Sequence, residues 1–158
     1  MDHVKRAVLI AQYGIGYDVV ADALNGITEA ELDMREAPGE WSPRQVVHHL
    51  ADSEMTSAIR IRRILVEDNP LIQGYDQDAF AARLHYDRPI ETSLLAFRAA
   101  RDSTTELIRG LQDEAWRRAG THSQYGPYSA EDWLRDYAAH APDHAGQIRR
   151  ARAAAAAT

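Results

Sequence analysis

The chain has 158 residues, 45% of them apolar, which suits one domain built around an ordinary hydrophobic core. Its formal charge of -6 argues against a general phosphate-backbone binder, since such proteins display a net basic surface, and no nucleic-acid partner is expected. Cysteine is absent, which excludes disulfides, thiolate metal ligands and a cysteine nucleophile; any thiol chemistry must use a thiol from outside.

The start, Met1-Asp-His-Val-Lys-Arg6, lacks the uninterrupted apolar core of a signal peptide, and no apolar run is expected to reach the length of a membrane span. A cytoplasmic protein with no membrane partner is therefore expected. Residues 3 to 24 place Val4, Val8, Ala11, Ile15, Val19 and Leu24 at three- to four-residue steps, the pattern of an amphipathic helix, interrupted by Gly14 and Gly16. Gly-Ile-Gly lacks the third glycine and the preceding strand of a phosphate loop, so these read as helical glycines, each costing about 1 kcal/mol against alanine and allowing close packing.

Thr28-Glu-Ala-Glu31 is a capping-box pattern that opens a short helical turn before the break at Pro38-Gly39. The second helix begins with clear punctuation at Trp41-Ser-Pro-Arg-Gln45. Ser42 is the N-cap, Pro43 takes the first helical position and Gln45 completes the box. Val46, Val47, Leu50, Ile61, Ile64 and Leu65 supply its inner face as far as about Val66.

Residues 67 to 89 hold Asn69-Pro70, Gly74, Pro89 and a short helix from Asp76 to Leu84. Such a connection is long for an antiparallel hairpin, and long enough to run back along the molecule so that the next helix lies parallel to the second. The third helix is predicted from Ile90 to Leu111, with Leu94, Phe97, Arg101, Thr104, Leu107, Ile108 and Leu111 on one face. Trp116 to Tyr128 reads as a loop, and no strand pattern of any length is visible. Ser129, with Asp132 three residues on, caps the last helix, and the alanine-rich end at 151–158 is expected to fray.

That last helix carries the chemistry. At about 100° per residue, Trp133, Tyr137, His140, His144, Ile148 and Ala151 share one arc, with Arg135, Asp143, Arg149 and Arg150 elsewhere. His140 and His144 thus lie one turn apart on the inner face and can converge on one ion, although two ligands seldom hold a metal alone. His48 and His49 of the second helix are candidates for a third. The helical wheel places His49 beside Ser53 and Ser57 at the border of the inner face and His48 farther round, favouring His49.

The stretch Trp41-Ser-Pro-Arg-Gln-Val-Val-His-His49-Leu-Ala-Asp-Ser-Glu54 resembles the second-helix signature of the DinB/YfiT-like metalloprotein superfamily. Gly126-Pro-Tyr-Ser-Ala-Glu-Asp-Trp133 and His140-x-x-x-His144-x-x-Gln147-Ile148 resemble its fourth helix, and Trp116-Arg-Arg with Gly120 and Tyr125-Gly126 the loop before it. The resemblance covers nearly the whole chain. It implies an all-α four-helix bundle of up-down-down-up topology, in keeping with the long crossover between helices two and three, and one domain over residues 1–158. It also implies a divalent ion, zinc or nickel, on His49, His140 and His144, with coordination positions left for water or substrate. The activity implied is transfer or isomerisation of a small-molecule substrate with a low-molecular-weight thiol as cosubstrate, and a homodimer is expected. A metal-dependent hydrolase, and a non-catalytic ligand-binding or stress-response bundle with a vestigial metal site, are the alternatives. Pro142 departs from a regular helix between the two histidines, removing the amide partner of the Ala138 carbonyl at a cost of about 3 kcal/mol, and a kink is expected there.

Four further residues are candidates for the pocket. Tyr137 sits one turn before His140; His122 lies in the loop expected to overhang the open end of the site. Arg101 interrupts an apolar stripe and is positioned to hold a substrate carboxylate. Asp52 stands three residues beyond His49, within reach of an imidazole. Tyr137 also has a plain structural reading as a core aromatic, and Asp52 as a salt-bridging surface acid. Arg60, Arg62 and Arg63 read as a solvated face, and Arg149, Arg150 and Arg152 as partners of the negative end of the last helix dipole.

Overall fold

The computed structural model describes residues 1–156. Helix α1 (His3–Gly14) starts where the Asp2 carboxylate accepts from the Lys5 amide, and α2 (Gly16–Leu24) continues it after a break at Ile15. Beside the break, a Cβ on Gly16 would lie 1.6 Å from Arg101 Nη1, so glycine there lets the guanidinium of another helix pack against the backbone. The Thr28 box caps the short α3 (Glu29–Leu32), and the Ser42–Gln45 box with Pro43 opens α4 (Pro43–Val66). Then follow β1 (Leu71–Ile72), α5 (Gln77–Arg83), α6 (Glu91–Arg109), a 3₁₀ turn at Ala115–Arg117, β2 (Ala119–His122), β3 (Gly126–Ser129) and α7 (Ala130–Ala156).

Four helical arms form the bundle: α1 with α2, α4, α6 and α7. Their directions follow from side-chain pairs. On α4 and α6, His48 meets Ser93, Glu54 meets Arg101 and Arg62 meets Thr104, so both numbers rise together and the helices run parallel. Ser57 meets Trp133 and His49 meets His140, so α7 runs antiparallel to α4. Arg6 pairs with Glu131 and Asp22 with Arg149, so the first arm is parallel to the last. The topology is up-down-down-up, and the long crossover between α4 and α6 makes it possible.

Two apolar clusters fill the bundle. One gathers Val46, Leu50, Phe97, Ala141 and Ile148; the other gathers Tyr13, Ile61, Trp116, Trp133 and Leu134. Between them along α4 lies a buried polar layer in which Arg101 pairs with Glu54 at 2.9 Å, both side chains fully buried, and Tyr13 donates to the same carboxylate. Arg101 Nη1 also donates to the Tyr13 carbonyl and Nη2 to the Tyr137 carbonyl, tying three arms together.

Several sequence expectations are corrected. The 116–128 segment is no plain loop: β2 and β3 form a hairpin, and β1 adds in parallel, with Leu71 opposite Thr121 and Ile72 opposite His122. Strands of two and four residues containing Gly, Pro and Ser are too short for period-two patterning to register. Gly120 is needed here, since a Cβ would stand 2.4 Å from the Pro70 carbonyl oxygen. The Val4, Val8, Ile15 stripe faces outward, at 73%, 59% and 53% exposure; α1 buries Arg6 and Tyr13 instead. Arg6 enters because Asp113 and Glu131 neutralise it, which an apolar count along the helix cannot register. Residues 3–24 are also long and apolar enough, by length and composition alone, to cross a membrane, contrary to expectation; in this fold they are the first arm of the bundle. Nor is the end frayed from 151: Ala151 is buried, and Arg152 donates to the Ala23 and Asn25 carbonyls, capping α2. Residues 157 and 158 lie outside the described residues.

Candidate metal centre

Where α4 and α7 cross, His49, His140 and His144 each turn one ring nitrogen toward a common point, and these three atoms lie within 4.8 Å of one another. His49 Nε2 and His140 Nε2 are 3.1 Å apart, and the rings of His140 and His144 sit 4.6 Å apart at 88°. The i, i+4 spacing stacks the two α7 rings on one face, and the antiparallel crossing brings His49 to them. The kink expected at Pro142 does not separate them, because α7 is one helix from Ala130 to Ala156.

The surroundings orient the rings. His144 Nδ1 lies 2.9 Å from Gln147 Oε1; the amide oxygen accepts, so Nδ1 carries the proton and Nε2 presents its lone pair. Trp41 stacks over His144 at 12° and packs tilted against His49 at 4.7 Å. Burial holds all three below the usual imidazole pKa. His49, further lowered by His144, falls to about 3; His140 falls well below its ordinary value through burial and its two neighbours; His144 falls less because Gln147 opposes burial. The imidazoles are therefore neutral and ready to donate lone pairs. Facing nitrogens 3.1 Å apart have room for one proton between them at most, and the Nδ1 atoms of His49 and His140 are buried with no hydrogen-bond partner among the described residues. A set of three neutral nitrogens with no carboxylate bonded to any of them fits a borderline divalent ion such as zinc or nickel.

A cavity of about 290 Å³ opens beside the cluster, walled by His49 and His140 and by Tyr137, His122, Arg60 and Asp136 among others. Tyr137 and His122 both line this cavity. His122 is buried, accepts from the Gln124 amide and stacks on Tyr125 at 4.6 Å; burial, and then Arg60, lower its pKa. Arg101 and Asp52 are not in the cavity. Arg101 is consumed by Glu54 and two carbonyls, and Asp52 accepts from the Tyr86 hydroxyl at 2.6 Å. His48 is structural: its Nδ1 meets Ser93 and its Nε2 the Arg88 carbonyl.

Arg60, read as solvated, belongs to the site, as do Tyr75, Tyr128 and Asp136. One signal for Arg60 was available: it follows His49 by eleven residues, roughly three helical turns, and therefore lies on the same face of α4. Nothing in the sequence marks Tyr75, which only the crossover carries to the cavity.

Comparison with known proteins agrees with this architecture. A model of the DinB superfamily matches residues 12–148. A candidate metal-dependent hydrolase of Oceanobacillus iheyensis is 34% identical over 122 residues, spanning 77% of this chain and 71% of that protein. One from Halalkalibacterium halodurans is 27% identical over 125 residues, spanning 79% and 73%. The structure of YfiT from Bacillus subtilis, described as a candidate metal-dependent hydrolase with an unusual four-helix bundle topology, superposes with a TM-score of 0.88 at 29% identity, covering 94% of this chain and 86% of that one. Bundle, crossover and matched span together make this chain a member of the DinB superfamily.

Proposed function

We propose that this protein is a divalent-metal-dependent hydrolase of small molecules, its ion held by His49, His140 and His144. The observation that carries the proposal is the convergence of three neutral imidazoles, His49 buried and His140 and His144 half-buried, at the edge of an open cavity. Three protein ligands leave coordination positions for substrate or water, the pattern of a catalytic rather than a structural site. A zinc or nickel ion held by His49, His140 and His144 would supply Lewis acidity and lower the pKa of bound water.

The chain's own residues supply the rest. Gln147 and Trp41 fix the rings of His144 and His49. Tyr137, its hydroxyl accepting from Arg60 at 3.0 Å, sets a polar group on the cavity wall beside His140, the two rings 5.8 Å apart. The likeness to candidate metal-dependent hydrolases in other bacteria supports hydrolysis over the thiol-dependent transfer or isomerisation that the sequence resemblance suggests.

The test is metal content and turnover together. Protein purified without added ions is expected to carry or take up about one zinc or nickel, and His140→Ala to lose it. Hydrolysis of a panel of small esters and amides is expected without any thiol and is abolished by chelation. Activity only with an added thiol assigns the transfer chemistry instead; metal uptake unchanged in His140→Ala removes the ligand triad.

A further inference from the structure

We propose that the cavity beside the histidines takes a small carboxylate, held by Arg60; this names a substrate class for the site and rests on that cavity being where substrate binds. Arg101 is no candidate: it is fully buried away from the cavity, each of its three nitrogens already donates, and its charge is paired with Glu54 in the core. Arg60 differs on each count. It lines the cavity, its Nη1 and Nη2 donate to two neutral acceptors, the Tyr137 hydroxyl and the Gln73 carbonyl, and no carboxylate lies within ion-pair reach of it among the described residues. Its Nε is buried and without a partner.

A guanidinium carries five N–H donors in a flat fork matched to a carboxylate, and two here are spoken for. A half-buried cation with unused donors and no counter-ion is completed by an anion from outside. From Arg60 the wall passes through Tyr137 to His140, so a carboxylate at the fork leaves the rest of a small molecule lying toward the histidines. Tyr75, its ring 5.7 Å from the guanidinium carbon, and the stacked His122 and Tyr125 offer flat faces for an unsaturated or aromatic body. Asp136 shares the wall, its carboxylate accepting from Tyr128 at 2.7 Å. Its charge repels a phosphate dianion about twice as strongly as a carboxylate in the same place, which favours the single charge.

Binding to metal-free protein separates this proposal from the metal reading, because a carboxylate could otherwise ligate the ion directly. Calorimetry with benzoate, its neutral isostere benzamide and phenyl phosphate is expected to show benzoate preferred roughly tenfold or more over benzamide, as befits a charge-assisted hydrogen-bonded pair. The preference should vanish in Arg60→Met and survive in part in Arg60→Lys, with circular dichroism confirming that both variants fold. Equal affinities for benzoate and benzamide, no benzoate binding at all, a preference unmoved in Arg60→Met, one seen only with zinc loaded, or phenyl phosphate binding best would each overturn the proposal.

Discussion

Burial fixes the charge of the three histidines, and stability should report it. Folded His49 titrates near 3, against about 6.5 for an ordinary imidazole, so between these values the unfolded chain binds the extra proton and stability falls as pH falls. The urea midpoint of metal-free protein is expected to drop once pH passes below about 6.5, at about 1 kcal/mol per pH unit from this side chain alone, with His140 and His144 acting in the same direction. A midpoint flat from pH 7 to 5 would contradict the neutral cluster. The Glu54–Arg101 pair makes a second residue-scale prediction. Arg101→Met strands a buried carboxylate and is expected to cost about 3–5 kcal/mol in chemical denaturation, while adding Glu54→Leu recovers a substantial part of that loss.

At the scale of elements, α7 and the hairpin decide the shape of the site. Pro142 interrupts the hydrogen bonding of a helix that nevertheless continues past it, so Pro142→Ala should raise the thermal midpoint, by up to about 3 kcal/mol in stability, with zinc affinity changing only a few-fold. Loss of metal in this variant would mean that the proline positions the rings. The hairpin walls the cavity through His122 and is pinned where the Thr121 amide donates to the Pro70 carbonyl at 2.9 Å. Gly120→Ala drives a methyl group into that carbonyl, and faster hydrogen exchange at the Thr121 and Ser123 amides is the expected sign that β1 and β2 have parted.

For the whole molecule, the crossover between α4 and α6 brings Tyr75 to the cavity and sets the parallel pairing that seats Arg101 on Glu54. The first arm turns its Val4, Val8 and Ile15 stripe outward, so Val8→Glu is expected to change the unfolding free energy by no more than about 0.5 kcal/mol. A larger loss in equilibrium denaturation would show that this stripe is covered in solution.

Read alone, the residues determine the helical segments of the four arms, the caps at Ser42 and Ser129 and the one-turn spacing of His140 and His144, because capping boxes and helical spacing are local properties. The helical wheel favours His49 over His48, and the triad is what the family resemblance implies. Only the tertiary structure decided which charged residues face the cavity. Arg60 and Arg101 differ in what stands opposite them, a cavity in one case and Glu54 in the other, and that partner is set by how distant segments pack. The same holds for the outward Val4 stripe and the short sheet. Burying Arg6 depends on Asp113 and Glu131, and the two-residue β1 forms only because β2, distant in sequence, supplies its hydrogen bonds.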